Sequence, residues 1–81
     1  MRRNDLDICA DILKVAQGGA KKTQIVYKAN LNFKIVKRYL NRLIENDMLN
    51  PMEEKRLYAT TSRGEEFIEQ YGSLIKPLRP Q

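Results

Sequence analysis

The stretch that decides the fold is residues 23–46, TQIVYKANLNFKIVKRYLNRLIEN, which carries two helical patterns separated by a tight turn. Thr23 can cap a short helix that runs to about Ala29. In the turn, Asn30 tolerates a left-handed backbone and Asn32 can cap the helix that follows. Two helices joined by so short a turn are typical of a helix-turn-helix unit.

The second helix of this unit is predicted from Phe33 to Asn46 and is strongly amphipathic. Helical spacing gathers one apolar stripe, made of Phe33, Val36, Leu40, Leu43 and Ile44. The opposite side is mostly cationic and amide-bearing, with Lys34, Arg38, Asn41, Arg42 and Glu45. Ile35 lies at the margin, where it can be either an exposed contact residue or a flanking core residue.

A further helix precedes the unit, from about Asp5 to Gln17, with Asn4 or Asp5 as its cap. Gly18-Gly19 ends it, because glycine readily supplies the left-handed conformation common at helix C-termini. A short extended stretch, residues 20–22, then leads into the helix-turn-helix.

A hairpin and a last helix follow the unit. From Met48 to Thr60 the pattern suits two short strands with a turn near Glu53 to Lys55, and Pro51 fits a strand edge because it lacks an N–H. Thr61 can cap a helix from about Ser62 to Lys76, ended by Pro77. The fold class is therefore α+β, mostly α: one winged helix-turn-helix domain over residues 1–81, with the unit and wing in 1–60 and the last helix in 61–77.

The positive charge is concentrated in one part of the chain. The net charge is +5, yet residues 14–44 carry eight basic side chains and no Asp or Glu, while the rest of the chain is net negative. We call residues 14–44 the acid-free block. Such a block is typical of a surface that binds a polyanion, and it coincides with the helix-turn-helix. It favours double-stranded DNA as the partner.

Each candidate contact follows from the geometry of helix-turn-helix docking. Arginine can pair with guanine and asparagine with adenine in the major groove, and an exposed Ile35 can touch a thymine methyl. The predicted base contacts are Lys34, Ile35, Arg38, Asn41 and Arg42. The predicted phosphate contacts are Lys21, Lys22, Lys28, Lys37 and Tyr27, with Lys55 and Arg56 added by the wing. The Tyr27 and Tyr39 hydroxyls can bind phosphate over buried rings, although plain packing serves either residue equally well.

Other functions find little support in the sequence. There is no histidine, no metal-ligand cysteine set and no glycine-rich phosphate loop, so neither catalysis nor a cofactor or metal is expected. The single cysteine, Cys9, reads as a small core residue. No apolar run approaches the roughly 20 residues of a membrane span, and no signal-peptide core is present, so a cytoplasmic protein is expected.

The order of elements and several local motifs resemble those of the small archaeal winged-helix DNA-binding proteins, a family of crenarchaeal chromatin proteins and predicted transcriptional regulators. The similar stretches are 18–23, 27–33, Tyr39-Leu40, Leu43-Ile44 and 58–64. The resemblance implies DNA binding as a regulator or as a chromatin-like architectural protein; a protein-interaction module within a larger assembly is the alternative. The family's wing tends to be more basic than this one, which carries Glu53 and Glu54.

A homodimer is also expected. In some members of the family the last helix pairs as an antiparallel coiled coil, and here it carries an apolar stripe that continues almost to Pro77. The predicted dimer interface consists of Phe67, Tyr71, Leu74 and Ile75. The alternative is that this helix folds over the first helix and completes the core of a monomer.

Overall fold

The computed structural model describes residues 4–78, which form four α-helices and a two-stranded hairpin. The elements are α1 (Asp5–Val15), α2 (Lys22–Lys28), α3 (Phe33–Glu45), β1 (Leu49–Met52), β2 (Leu57–Thr60) and α4 (Ser62–Ile75), followed by a 3₁₀ turn (Lys76–Leu78). The predicted α+β, mostly α, winged helix-turn-helix fold is confirmed.

Helix α1 begins at a reciprocal cap. The Asn4 side chain accepts a hydrogen bond from the Asp7 N–H (2.8 Å), and the Asp7 carboxylate accepts one from the Asn4 N–H (3.1 Å). Asn4, rather than Asp5, is therefore the cap. The helix ends at Val15, two residues before the predicted Gln17, because the chain already turns into Gly18 and Gly19, whose φ angles are +79° and +102°.

The start of α2 corrects one prediction. Thr23 is not the cap, since α2 begins at Lys22 and the capping residue is Lys21. The Gln24 side chain accepts a hydrogen bond from the Lys21 N–H (2.8 Å), which satisfies the first amide and lets the helix start early. The turn matches its prediction: Asn30 has φ +55°, and the Asn32 side chain accepts from the Ile35 N–H (2.8 Å).

The core lies between α1, the helix-turn-helix and the base of the hairpin. Its largest fully buried side chains are Ile12, Leu13, Ile25, Val36 and Leu49. Phe33 does not join this core as predicted, because 51% of it is exposed. It occupies the first position of α3, at the edge of the buried face, and the buried Tyr39 takes a place in that face instead.

The hairpin pairs Leu49 with Thr60 and Met52 with Leu57. Pro51 lies on β1 and pairs with Tyr58 of β2. The outer edge of β1 has no partner strand, so the ladder does not need the N–H that proline lacks. Tyr58 also pairs with Ala20 through two backbone hydrogen bonds of 2.8 and 2.9 Å. The predicted extended stretch after α1 thus joins the wing at its base.

Helix α4 closes the fold by packing against α1. The Thr61 hydroxyl accepts a hydrogen bond from the Gly64 N–H (3.1 Å) and donates one to the Asp47 carbonyl (2.6 Å), so Thr61 is the predicted cap. The α-helix ends at Ile75, one residue before the predicted Lys76, and Pro77 lies in the 3₁₀ turn that follows.

Candidate nucleic-acid interface

The outward face of α3 is the centre of the candidate site. Lys34, Arg38 and Asn41 are all exposed and lie opposite the buried side of the helix. The buried side consists of Val36, Tyr39, Leu40 and Leu43. Two cations and one amide therefore point away from the protein on one helical face, which ends at the exposed Glu45. The three side chains are donors suited to a polyanion carrying acceptor groups.

Arg42 flanks this face and pairs with Asp5 at the start of α1. Its Nη1 atom lies 3.5 Å from Asp5 Oδ2, and both side chains are more than half exposed, at 58% and 66%. A long, solvated ion pair of this kind contributes only about 0–1 kcal/mol. The Arg42 guanidinium can therefore exchange Asp5 for another anion at little cost.

Asp5 also holds Tyr39. The Tyr39 hydroxyl donates a hydrogen bond of 2.6 Å to Asp5 Oδ1, while 2% of Tyr39 is exposed. This hydrogen bond, assisted by Arg42, holds the pKa of Asp5 below its usual range, and the same contact raises the pKa of Tyr39. The suggestion that Tyr39 binds phosphate is therefore wrong, because its hydroxyl already binds Asp5.

The Tyr39 ring in turn lies beneath Arg38. The Arg38 guanidinium carbon lies 5.5 Å from the ring centroid, within the range of a cation–π contact. Tyr39 thus connects Arg38 on the outward face with Asp5 on α1. Nothing in the sequence pattern pointed to this contact, since Asp5 and Tyr39 are far apart in the chain and the contact depends on how α1 crosses α3.

The remaining predicted residues of α3 lie at its two margins. Ile35 is 36% exposed, so it stands at the boundary between a surface and a core residue. Lys37 is exposed on the other margin. Phe33, which was assigned to the core, adds an exposed ring at the beginning of the helix.

The residues predicted on α2 lie on or beside its surface. Lys21 and Lys28 are exposed and stand at opposite ends of α2, and Lys22, its first residue, is half-buried. Tyr27 is 82% exposed. Its ring is therefore not buried, although both interpretations from the sequence, phosphate binding over a buried ring and plain packing, required burial. The Tyr27 hydroxyl therefore lies on the surface, and the ring does not pack in the core.

The wing has a mixed charge. Lys55 and Arg56 are exposed at the turn, together with Glu53 and Glu54. Arg56 has a positive φ of +55°, which supplies the left-handed residue of the turn. The wing tip is electrically balanced, so the cationic part of this surface lies on α2 and α3.

The predicted dimer face on α4 is only partly exposed. Phe67 and Ile75 are half-buried, and the Phe67 and Tyr71 rings stack with centroids 6.1 Å apart. Tyr71 is only 9% exposed within the single chain, whereas Leu74 is 71% exposed. Leu78, in the 3₁₀ turn, is 81% exposed. The end of α4 thus carries the uncovered apolar surface.

Within residues 4–78, no group of three or more Cys, Asp or Glu side chains is placed to hold a metal ion. None of the helices there combines the length and the apolar character required to cross a membrane.

A helix-turn-helix followed by a hairpin wing and a packed last helix defines a winged-helix protein. The chain belongs to the winged helix-turn-helix family, whose model matches residues 2–78. The resemblance to the small archaeal proteins of this class is likewise confirmed.

The chain is also similar to two archaeal proteins. The structure is similar to the crystal structure of Sso10a-2, a DNA-binding protein from Sulfolobus solfataricus, with a TM-score of 0.86 and 26% identity over 91% of this chain and 80% of that one. The sequence is 28% identical to an uncharacterized protein of Methanocaldococcus jannaschii over 99% of this chain. The chain spans 37% of the length of that relative.

Proposed function

We propose that this protein binds double-stranded DNA without catalysing a reaction, with α3 in the major groove. The observation that carries the proposal is the outward face of α3, where Lys34, Arg38 and Asn41 are exposed within the acid-free block. A helix of this width fits the major groove of B-DNA, and its side chains then meet the base edges.

Base contacts come from the same face and its margins. Arg38 can donate two hydrogen bonds to guanine, and its contact with the Tyr39 ring restricts where the guanidinium points. Asn41 can pair with adenine, and Ile35 lies where it can touch a thymine methyl. Arg42 exchanges its weak contact with Asp5 for a base or a phosphate.

Phosphate contacts surround this centre and supply most of the affinity. They are assigned to Lys21, Lys22, Lys28, Lys37 and the hydroxyl of Tyr27. Lys55 and Arg56 contribute little, because the neighbouring Glu53 and Glu54 repel the same phosphates. Attachment is therefore mainly electrostatic, and α3 supplies the sequence preference.

The similarity to a DNA-binding protein of known structure supports the proposal of DNA binding. The protein acts in the cytoplasm as a transcriptional regulator or as a chromatin-like architectural protein. Selection from a random duplex library separates the two, because a regulator enriches a defined motif and an architectural protein enriches only a base composition.

We further propose a homodimer formed through the end of α4. Leu74 and Leu78 are both more than two-thirds exposed, and Phe67 and Ile75 lie half-buried along the same helix. Burying an aliphatic side chain contributes about 1.5–3 kcal/mol, so symmetric pairing of this surface is favourable. Tyr71 lies at the inner edge of the interface, because its own chain already covers it. A dimer would present two α3 helices to a pseudo-palindromic site.

The decisive experiment for DNA binding is a fluorescence anisotropy titration of a labelled duplex over a range of salt concentrations. Contacts with about four to eight phosphates, each releasing roughly 0.9 counterion, give a steep negative slope of log affinity against log salt. A slope near zero would refute the electrostatic mechanism. The absence of any salt-sensitive complex would favour the alternative of a protein-interaction module.

Paired variants separate the two kinds of contact. Lys22→Ala is expected to weaken binding to all duplexes alike, whereas Arg38→Ala weakens binding by about 1–3 kcal/mol mainly on the preferred sequence. Arg63→Ala is the matched control, because it removes an exposed arginine from α4 rather than from α3. An Arg38→Ala protein that bound every duplex like the control would disprove the assignment of the reading face.

A further inference from the structure

Two aromatic side chains of the helix-turn-helix are exposed, unlike the other aromatics of the chain. Tyr39 and Tyr71 are buried, and Tyr58 and Phe67 pack against the core. In contrast, Tyr27 is 82% exposed and Phe33 is 51% exposed.

Neither ring belongs to the hydrophobic core of the described residues or packs against it. Tyr27 lies on the side of α2 opposite the buried Ile25 and Val26, and its hydroxyl has no hydrogen-bond partner within residues 4–78. Phe33 begins α3, one residue after its cap, where its ring extends beyond the buried face. Exposed aromatic surface that does not stabilise the monomer is often a binding surface.

The charge around the two rings indicates what they bind. Lys28 follows Tyr27, Lys34 follows Phe33, and both lysines are exposed. The whole segment lies in the acid-free block. Aromatic faces interleaved with cations match a ligand that carries flat rings on an anionic backbone, which is the chemistry of a nucleic-acid strand.

The strand must be single, because the faces of bases inside a duplex are covered by their neighbours. Only unpaired bases offer a free face to a protein ring, and base–aromatic stacking tolerates any sequence. Tyr27 and Phe33 are separated only by the turn that joins α2 to α3. We propose that Tyr27 and Phe33 stack on the bases of single-stranded DNA while Lys28 and Lys34 bind its phosphates.

This activity rests on the same cationic surface as the proposed duplex binding and shares Tyr27, Lys28 and Lys34 with it, but it differs in the groups that contact the bases. The proposed duplex contacts to bases come from the outward face of α3 around Arg38 and Asn41, whereas the stacking residues flank the turn. Separate titrations with single-stranded and duplex DNA therefore test the two proposals independently. Arg38→Ala is expected to weaken duplex binding more than binding to a single strand.

The test compares two single strands that differ only in their bases. A labelled oligothymidylate of about 10 nucleotides, a length within known single-strand site sizes, and an abasic strand of equal length carry the same phosphates. The native protein is expected to bind the oligothymidylate about tenfold more tightly, since stacking on even one base is worth roughly that factor. Equal affinity for the two strands would overturn the proposal.

Variants at Tyr27 distinguish stacking from a hydroxyl contact. Tyr27→Ala, and separately Phe33→Ala, should each lower affinity for the oligothymidylate at least about fivefold and leave affinity for the abasic strand unchanged. Tyr27→Phe should retain the native preference, because the ring and not the hydroxyl makes the contact. Circular dichroism verifies that each variant folds, which the exposure of both rings favours. If Tyr27→Ala and Tyr27→Phe weakened binding to both strands equally, the hydroxyl would bind phosphate and the stacking assignment would be wrong.

Discussion

Among the glycines, Gly64 is the position at which an added methyl group is expected to destabilise the fold most. It lies in the first turn of α4 and is buried against the loop that precedes β1. A Cβ placed there would overlap the Met48 carbonyl oxygen and would lie 2.6 Å from Cγ2 of Thr60. Ordinary carbon–carbon contacts begin about 1 Å farther out, so either the helix or the loop must move.

The magnitude for Gly64→Ala follows from three effects. Overpacking of this kind destabilises by about 1–3 kcal/mol. The Met48 carbonyl also accepts a hydrogen bond of 3.0 Å from the Thr61 N–H, and weakening it removes about 1 kcal/mol. The greater helix propensity of alanine returns about 1 kcal/mol. The net loss is about 1–3 kcal/mol, which lowers the melting temperature of a domain this small by roughly 5–20 °C.

The same helix supplies a matched control. A Cβ at Gly72 would meet nothing within 4 Å, so Gly72→Ala gains helix propensity without a clash. It should raise stability by up to about 1 kcal/mol. Thermal denaturation followed by far-ultraviolet circular dichroism measures both variants. A Gly64→Ala protein as stable as the Gly72→Ala protein would refute the close approach of α4 to Met48.

Three more predictions concern other parts of the molecule. Arg56→Gly should raise the unfolding free energy by about 1 kcal/mol in a thermal melt, because glycine adopts the positive φ of this turn without strain, and a decrease would contradict that. Asp5→Asn should reduce the loss of stability in acid, because the pKa of Asp5 is lowered in the folded protein. The contribution of the Asp5 carboxylate to the free energy of unfolding is fully present above its usual pKa, and it disappears as the pH falls through the lower folded value. Urea melts between pH 2 and 6 measure this, and identical pH profiles for native and variant proteins would rule out the Tyr39 contact. Leu74→Glu should convert the proposed dimer to monomer in sedimentation equilibrium with its helicity retained, and a native protein that is monomeric at high micromolar concentration would exclude the dimer.

The elements of the fold could be read from the sequence because their signals are local. Asn32 and Thr61 cap the helices that they were expected to cap, and Gly18 and Asn30 adopt the left-handed backbone that their residue types favour. The buried side of α3 also follows helical spacing, with Val36 and its neighbours inside. Only the exact starts and ends of helices moved, by one or two residues.

The features that could not be predicted from the sequence depend on how the helices and strands pack against one another. Periodicity places Phe33 on the apolar side of α3, but the core no longer extends to the first turn of the helix, so the ring is exposed. The contact from Tyr39 to Asp5 joins two helices whose crossing angle no local pattern encodes. The wing turn uses Arg56 where Asn-Gly would have been recognisable, so its left-handed residue had no sequence signal.

The bridge between Ala20 and Tyr58 anchors the base of the wing to the rest of the domain. An isolated two-stranded hairpin is only marginally stable in water, yet here β2 is hydrogen-bonded on both sides, to β1 and to the segment that connects α1 with α2. The base of the wing is thereby fastened to the same segment that leads into α2. A tilt of the hairpin about its base would strain the two hydrogen bonds between Tyr58 and Ala20, so the position of the wing tip at residues 53–56 is coupled to the segment that enters α2.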